Sequence, residues 1–247
     1  MFNVQRSMSN IFHFQHFTID QSHAAMKVGT DSDLLGALAA GGNRILDIGT
    51  GTGVLALFMA QRFPQATITA IDIDENAIID ATTNFANSPY HDRITLHHTS
   101  FQEFVSSPLS GGLWGAIVCN PPYFDRSLEA PDKSRARARH TSSLTFKELI
   151  GGAYKLLEPG GTFSVCLPPE VLSVFSAECL LTGFWLQHNY QIKSLPHKPP
   201  KRYILIYKKG RTECTDHIHC MRNADHSYSD WYNTLMADFL KPQRSNK

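Results

Sequence analysis

The sequence of 247 residues contains no apolar run as long as the roughly 18–20 residues that span a bilayer. Its first 17 residues, MFNVQRSMSNIFHFQHF, lack the basic start, the continuous apolar segment and the small-residue cleavage site of a secretory signal. Its five cysteines are widely spaced and include no CxxC pair, which is typical of reduced thiols and not of a disulfide framework. These absences predict a cytoplasmic protein without a membrane-spanning segment.

An excess of charge of one sign is also absent, since 23 Lys and Arg face 22 Asp and Glu. A protein that is basic throughout is therefore excluded, although a local basic surface is not. Ordinary numbers of Gly (16) and Pro (13) exclude a collagen-like or low-complexity chain. The 42% of hydrophobic residues supply a buried core, and the length suits one large domain.

Short apolar runs alternate with segments of helical pattern through most of the chain. The predicted strands are 44–48, 66–73, 93–98, 113–119 and 162–167, and the predicted helices are 33–40, 54–63, 75–87, 145–157 and 170–181. This alternation predicts an α/β fold with a parallel sheet and helices on both of its faces. Beyond residue 183 the runs 184–192, 202–208 and 214–221 predict antiparallel strands, and a last helix is expected over 228–240.

A glycine-rich turn, Asp47-Ile48-Gly49-Thr50-Gly51-Thr52-Gly53, follows the first of these strands. Glycines permit a tight turn and let backbone N–H groups approach a ligand. The turn also stands at the carboxyl end of a strand, where open α/β sheets bind ligands. A dinucleotide fingerprint would need glycine at position 54, which is Val54. The GxGxG spacing after an acidic residue therefore predicts S-adenosylmethionine (SAM), with Asp47 facing the ammonium group of this cofactor.

The second strand ends at Asp72, 19 residues after Gly53. A carboxylate at this place can accept hydrogen bonds from both ribose hydroxyls of the cofactor, and Ile73 can lie against the adenine. The alternative is that Asp72 only caps the next helix, but Asp74 is better placed for that role.

The motif Asn120-Pro121-Pro122-Tyr123 follows the fourth strand, again at a carboxyl end. The Asn120 side-chain oxygen and the Pro121 carbonyl can accept hydrogen bonds from one NH₂ group and stabilise the charge that develops on its nitrogen. Pro121 and Pro122 stiffen the loop, and Tyr123 offers a ring on which a planar group can stack. The motif predicts methylation of a planar amine by in-line displacement, with Asn120 also touching the cofactor and with no metal.

With both motifs, the chain resembles the class I SAM-dependent methyltransferases of the NPPY kind and, among them, the bacterial tRNA(Val) adenine-37 N6-methyltransferase family. The segments that carry this resemblance are 12–39, 44–62, 118–124, 138–144 and 226–240. The resemblance implies a Rossmann-like fold with a seven-stranded, mostly parallel sheet and antiparallel C-terminal strands. It also implies a single domain over 1–247, in which 1–43 form an N-terminal extension and 44–247 the Rossmann-like core.

The resemblance further implies methylation of adenine N6 in tRNA, beside the anticodon of tRNA(Val). It assigns Lys27, Gly29 and Thr30 to the methionine end of SAM and to the target pocket. Ser100 stands where family members commonly carry an aspartate that binds the cofactor adenine, and Phe101 follows it. Both are candidate cofactor contacts, although a serine hydroxyl binds more weakly than a carboxylate. The sequence does not determine the oligomeric state, and we slightly favour a monomer.

Two basic stretches, 126–147 and 193–222, stand out in a chain of formal net charge +1. They are candidates for holding RNA phosphates around the target base, with solvated surface loops as the alternative. The predicted RNA contacts are Arg126, Arg135, Arg137, Arg139, Lys201 and Arg202.

Two further groups near the C-terminus are weighed against ligand binding. Cys214, His217, His219 and Cys220 invite a zinc site, but Cys220 points away from the two histidines of the strand and no second ligand pair follows. An exposed strand face is the better interpretation, so no metal is expected. On the last helix, Trp231 is expected to pack against the sheet, with substrate contact as the alternative.

Three other functions share parts of this pattern. A protein glutamine N5-methyltransferase uses the same motif on an amide, but such enzymes carry a helical domain before a glycine turn that here arrives at Gly49. A ribosomal RNA guanine N2-methyltransferase uses a similar motif but often duplicates the fold. A non-catalytic RNA-binding protein on the same scaffold would not need Asp47, Asp72 and the NPPY motif intact.

Overall fold

The computed structural model describes residues 10–24, 27–121 and 144–241. The helices in these ranges are α1 (Thr30–Leu38), α2 (Val54–Arg62), α3 (Glu75–Ala86), α4 (Phe101–Ser106), α5 (Phe146–Leu156), α6 (Leu172–Thr182) and α7 (Asp230–Met236). The strands are β1 (Ile11–His13), β2 (Thr18–Asp20), β3 (Arg44–Ile48), β4 (Thr67–Asp72), β5 (Ile94–His98), β6 (Trp114–Cys119), β7 (Leu157–Leu167), β8 (Phe184–Lys193), β9 (Pro200–Lys209) and β10 (Thr215–Cys220).

One sheet of eight strands has the order β10-β8-β9-β7-β6-β3-β4-β5, and β1 and β2 form a separate hairpin. The strands from β7 to β5 in this order are parallel, as the alternation of strands and helices predicts. The α/β class and the mostly parallel sheet are thus confirmed.

The expected seven strands and their uniformly antiparallel C-terminal end are wrong in one respect. β9 is antiparallel to both β7 and β8, but β10 pairs with β8 in parallel and adds an eighth strand. The reason is the path of the chain. β8 and β9 form a hairpin whose second strand lies inside, against β7, so the returning chain finds the open edge of β8 and runs in its direction.

Helix boundaries follow the sequence signals closely in the middle of the chain and less closely at its ends. Asp74 caps α3 as predicted, because its Oδ1 accepts the Asn76 N–H at 3.0 Å. α1 begins at Thr30 and not at Asp33, and Gly29 precedes it without a side-chain cap. The last helix covers Asp230–Met236, which is shorter than the predicted 228–240. Within the described ranges, no helix is long and apolar enough to cross a membrane.

Alternate side chains of the sheet feed two separate apolar layers. In β3, Ile45 faces the layer formed with α1, α2, α3 and α7, whereas Leu46 and Ile48 face the layer formed with α4, α5 and α6. Both layers consist of fully or nearly fully buried side chains. The sheet is therefore covered on both faces, which leaves its strand ends as the place for a binding site.

Phe58 of α2 joins both ends of the described chain to the first layer. Its ring lies 5.2 Å from that of Phe14 near the N-terminus and stacks on Phe239 at 4.3 Å, with 19° between the ring planes. Phe58 is fully buried, and the backbone N–H of Gln15 donates to the Phe239 carbonyl at 2.7 Å. The two terminal segments thus depend on the same aromatic contact.

We expect Phe58→Ala to lower the free energy of unfolding by about 3–5 kcal/mol, because it leaves a cavity in a packed core. Limited proteolysis should then cut first within 10–24 and 230–241. Phe175→Ala removes an equally buried ring from the other layer and serves as the control, with a similar loss in denaturant unfolding but no early cleavage of the termini. Equal cleavage patterns in both variants would contradict the anchoring role of Phe58.

Candidate active site

A cavity of about 800 Å³ opens at the carboxyl ends of β3, β4 and β6. Its volume is in the range of small-molecule sites. Of the residues proposed from the sequence as cofactor or RNA contacts, it brings together Lys27, Gly29, Thr30, Gly49, Gly51, Asp72, Ile73, Ser100, Phe101, Asn120, Lys201 and Arg202. Asp47 and Gly53 are not among the residues that line it.

The glycine turn forms an open floor of this cavity. Gly49 and Gly51 have φ angles of +69° and +56°, and a Cβ added to either would meet nothing within 4 Å. The backbone N–H groups of the turn are already used, since Gly49 and Thr50 donate to the Ile71 carbonyl at 2.9 and 3.0 Å. The Gly51 N–H donates to Asp72 Oδ2 at 2.8 Å. The expectation that these amides serve a ligand is therefore corrected, because the turn offers space and not donors.

Gly53 has a packing role. It precedes α2 with a φ angle of +83°, and a Cβ there would lie 2.4 Å from the ring of Phe85. This close approach of α3 and the left-handed backbone conformation both require glycine. Nothing about Gly53 in the structure needs a ligand.

Asp47 is fully buried directly below the turn. Its Oδ2 accepts a hydrogen bond from the Thr50 hydroxyl at 2.6 Å, and among the described residues its Oδ1 has no partner. Burial raises the pKa of Asp47 to about 7; the Asp72 charge adds to this effect and the Thr50 hydrogen bond opposes it. An unpaired carboxylate oxygen under an open floor fits a cationic group, and the ammonium of SAM is such a group.

Asp72 holds the turn and the start of α3 together. Its Oδ2 accepts the Gly51 N–H, and its Oδ1 accepts the Asp74 N–H at 2.9 Å. A carboxylate has about four acceptor sites, so both oxygens keep capacity for ribose hydroxyls. The neighbouring Ile73 is 59% exposed and lines the same cavity, where a flat apolar ring can cover it.

Ser100 caps α4. Its hydroxyl accepts the Glu103 N–H at 3.2 Å and donates to Glu103 Oε2 at 2.8 Å, which completes a capping box. The hydroxyl hydrogen is thus committed to Glu103, so Ser100 reaches a ligand in this arrangement only as an acceptor. Phe101 is nearly fully buried and contributes to the cavity wall.

Asn120 lies at the end of β6, and its side chain is oriented by α1. Its Nδ2 donates to the Ser32 hydroxyl at 3.2 Å, across a separation of 88 residues. Ser32 lines the cavity beside Asn120, and the following Pro121 is buried. The residues Pro122, Tyr123, Arg126, Arg135, Arg137 and Arg139 lie outside the described part of the chain.

The N-terminal segment and β9 meet at the mouth of the cavity. Arg202 Nε donates to Asp31 Oδ2 at 2.7 Å, so this predicted RNA contact forms an ion pair with α1. Lys27 Nζ donates to Asn10 Oδ1 at 3.1 Å, and Lys201 is exposed. In the described ranges, no group of three or more potential metal ligands lies together.

Two contacts escaped the sequence analysis, Ser32 with Asn120 and Asp31 with Arg202. Both residues on α1 were treated as possible helix caps, and their partners lie 88 and 171 residues away in the chain. No local pattern signals such a pair. The helical spacing of the apolar residues that follow could have indicated only that α1 packs on the sheet.

Comparison with known families and proteins gives two kinds of match. The model of the family "Methyltransferase small domain" matches residues 21–171. A tRNA1(Val) (adenine(37)-N6)-methyltransferase from Pseudoalteromonas translucida is 39% identical over 92% of this chain and 97% of its own length. The enzymes of that name from Phocaeicola vulgatus and Vibrio parahaemolyticus are 41% and 38% identical, over 92% of this chain and 96% and 94% of their own lengths.

Solved structures share the fold. A predicted O-methyltransferase from Agrobacterium tumefaciens superposes with a TM-score of 0.67 at 19% identity, over 87% of this chain and all of that chain. A methyltransferase from Pyrococcus furiosus superposes with a TM-score of 0.53 at 23% identity, over 78% of this chain and 90% of that chain. These likenesses establish a class I SAM methyltransferase architecture, and SAM is the cofactor of such proteins.

We expect the affinity for SAM to fall by up to about tenfold per pH unit below pH 7 and to level off above it, through the titration of Asp47. Binding of a cationic group needs the ionised carboxylate, and a raised pKa leaves this carboxyl protonated at pH 6. Titration calorimetry at pH 6, 7 and 8 measures the effect. In the control Asp47→Asn, binding should be weaker and lack this component. An identical pH dependence in both proteins would exclude Asp47 as its source.

Proposed function

The chain belongs to the family of tRNA1(Val) (adenine(37)-N6)-methyltransferases, and we propose that it methylates the exocyclic N6 of adenine-37, beside the anticodon of tRNA(Val). The position of Asn120 carries this proposal. Asn120 follows β6 at the wall of the cavity whose floor is the glycine turn, so an acceptor for an NH₂ group stands next to the cofactor site. The relatives named above act, by their names, on adenine N6 in tRNA.

The residues of the cavity fit SAM from one end to the other. Asp47, through its unpaired Oδ1, is the candidate partner of the ammonium group, and Asp72 is the candidate acceptor for the ribose hydroxyls. Ile73 offers an exposed apolar surface to the adenine, and the bare floor at Gly49 and Gly51 leaves room for the chain between them. When bound, SAM supplies a methyl group on a sulfonium, which a nitrogen lone pair attacks in line.

The protein's part in the reaction is to hold the amino group and to stabilise its developing charge. The lone pair of an adenine N6 is delocalised, so the nitrogen is a poor nucleophile. The Asn120 Oδ1 and the Pro121 carbonyl are the proposed acceptors for its two N–H groups, and they stabilise positive charge on the nitrogen more than they stabilise the neutral amine. Pro122 and Tyr123 are proposed to stiffen the loop and to stack on the base.

Covalent catalysis by the adjacent thiol does not suit this site. Burial, together with the charges of Asp47 and Asp72, raises the pKa of Cys119 well above its ordinary value. The thiol therefore stays protonated and is not a nucleophile at neutral pH. The geometry supports direct transfer of the methyl group.

Ser32 is proposed as a positioning residue for Asn120. The amide of Asn120 can bind in two orientations that exchange its oxygen and nitrogen, and only one presents Oδ1 to the substrate. With Nδ2 donating to the Ser32 hydroxyl, the oxygen is directed away from α1. The Asp31–Arg202 ion pair ties the same helical turn to β9.

The first test is methyl transfer from labelled SAM to total tRNA that lacks the modification, followed by mass spectrometry of the nucleosides. We expect N6-methyladenosine with the wild-type protein. Asn120→Ala should lower kcat by about 10²–10³-fold, because an acceptor for developing charge is lost, while SAM binds nearly normally. Asn120→Asp keeps an acceptor oxygen and serves as the matched control. Full turnover by Asn120→Ala would remove Asn120 from the mechanism, and methylation only of ribosomal RNA or a protein would overturn the tRNA substrate.

Ser32→Ala should lower kcat by about tenfold with an unchanged Kd for SAM, since it loses one hydrogen bond that selects an amide orientation. Ser32→Thr keeps the hydroxyl and should restore the rate. In an Asn120→Ala background, Ser32→Ala should have no further effect on kcat. Additive losses of kcat in the double variant would show that Ser32 acts independently of Asn120.

A further inference from the structure

Five ring side chains form a ladder on one face of the outer sheet edge. The ring ladder consists of His188 and Tyr190 on β8, His217 and His219 on β10, and Trp231 on α7. The rings of Tyr190 and His217 stack at 4.2 Å with 10° between their planes, and those of His219 and Trp231 stack at 4.3 Å with 4°. His188 Nδ1 lies 3.2 Å from His217 Nε2, and the rings of His217 and His219 are 6.3 Å apart and nearly parallel.

The ring ladder is only partly explained by core packing. Tyr190 and Trp231 contact the first apolar layer, but all five side chains remain partly exposed. On β10, the two histidines share one face, whereas Ile218 on the opposite face is 64% exposed. Within the described ranges the histidines join no cluster able to hold a metal ion. The rings therefore offer a planar, solvent-accessible surface without an assigned role.

The histidines of the ring ladder favour stacking over charge attraction. Burial, and secondarily the neighbouring His217, lowers the pKa of both His188 and His219. Their rings are thus mainly neutral at pH 7. A stack of neutral, parallel rings suits the face of a nucleobase, because every base has a π-face and stacking tolerates any sequence.

The ring ladder leads directly to the cavity. Ile192 follows Tyr190 by two residues on the same face of β8, and Met221 follows His219 by two residues on the same side. Both Ile192 and Met221 line the cavity. From His217 to Met221 the distance along the strand is about 13 Å, at about 3.3 Å per residue. A flexible polymer with its reactive group in the cavity can therefore lie along the rings.

Positive charge collects where the ring ladder meets the cavity. Lys201 and Arg202 line the cavity at the start of β9, and Arg222 follows Met221. Lys201 is exposed, and Arg222 lies 4.1 Å from the ring centre of Tyr228. This pattern of rings beside basic side chains complements a single strand of nucleic acid, whose bases stack and whose phosphates are negative.

We propose that the ring ladder binds the unstacked nucleotides that flank the target adenosine, with their bases on the rings and their phosphates toward Lys201 and Arg222. The inference rests on the proposed function and adds to it the surface that receives the RNA. Loops of RNA are recognised in this manner, with splayed bases on aromatic or imidazole rings. The ring ladder belongs to the substrate-binding surface and takes no part in the methyl transfer.

The test compares three variants of β10 in steady-state methylation of unmodified tRNA. His217→Ala combined with His219→Ala should raise the KM for tRNA about tenfold or more, with unchanged kcat and unchanged Kd for SAM. His217→Phe combined with His219→Phe keeps planar rings and should keep KM near the wild-type value. Ile218→Ala, on the opposite face of the same strand, is the control for local damage and should leave KM unchanged.

Ultraviolet cross-linking of tRNA followed by peptide mass spectrometry should place adducts on residues 215–222 or on the peptide that contains Trp231. An unchanged KM in the double alanine variant, or an equal rise in the Ile218→Ala control, would overturn the proposal. So would an unchanged KM with an altered molar mass in light scattering, which would make the surface a protein contact. A wild-type protein that binds SAM but methylates no RNA would refute the proposed function itself, whereas active ring-ladder variants with a normal KM refute only this inference.

Discussion

The parallel pairing of β6, β3 and β4 is the constraint on which the site depends. Ile48 at the end of β3 is level with Ile71 of β4 and with Cys119 of β6. Because parallel strands end at the same edge, the turns after them converge even though Asp47 and Asn120 are 73 residues apart. The apolar layers on both faces hold this register, since a slip by one residue would exchange the two sets of side chains. The cofactor site and the amino-group site are thus adjacent by construction.

Asp72 turns that shared edge into a binding surface. Its two oxygens hold the glycine turn and the start of α3, and the remaining turn amides bond to the chain itself. The cavity therefore selects its ligand by an open floor and by carboxylates, and not by a nest of N–H donors. Such a surface suits a cation and does not suit a pyrophosphate, which agrees with the absence of glycine at Val54. The raised pKa of Asp47 follows from the same crowding of carboxyl groups in a buried place.

Local patterns were enough for the central strands and for the motifs that follow them. The strand β3, the helix α2 and the Asp74 cap of α3 correspond to their sequence signals because each signal acts within a few residues. The eighth strand was not foreseen. The sequence around His217 predicts a strand, but its partner and direction depend on which edge is open after the β8–β9 hairpin has formed, and β-pairing between distant segments leaves no local mark.

The sequence by itself determined the α/β class, the glycine turn with Asp47 and Asp72, and the Asn120 motif, because spacing along one segment controls backbone turns and the chemistry of each side chain. Tertiary structure decided how those groups are held. It made Gly53 a packing contact with Phe85, committed the Ser100 hydroxyl to Glu103, and placed Ser32 against Asn120. Such assignments need distances between residues far apart in the chain, and these distances exist only after the sheet and its helices have packed.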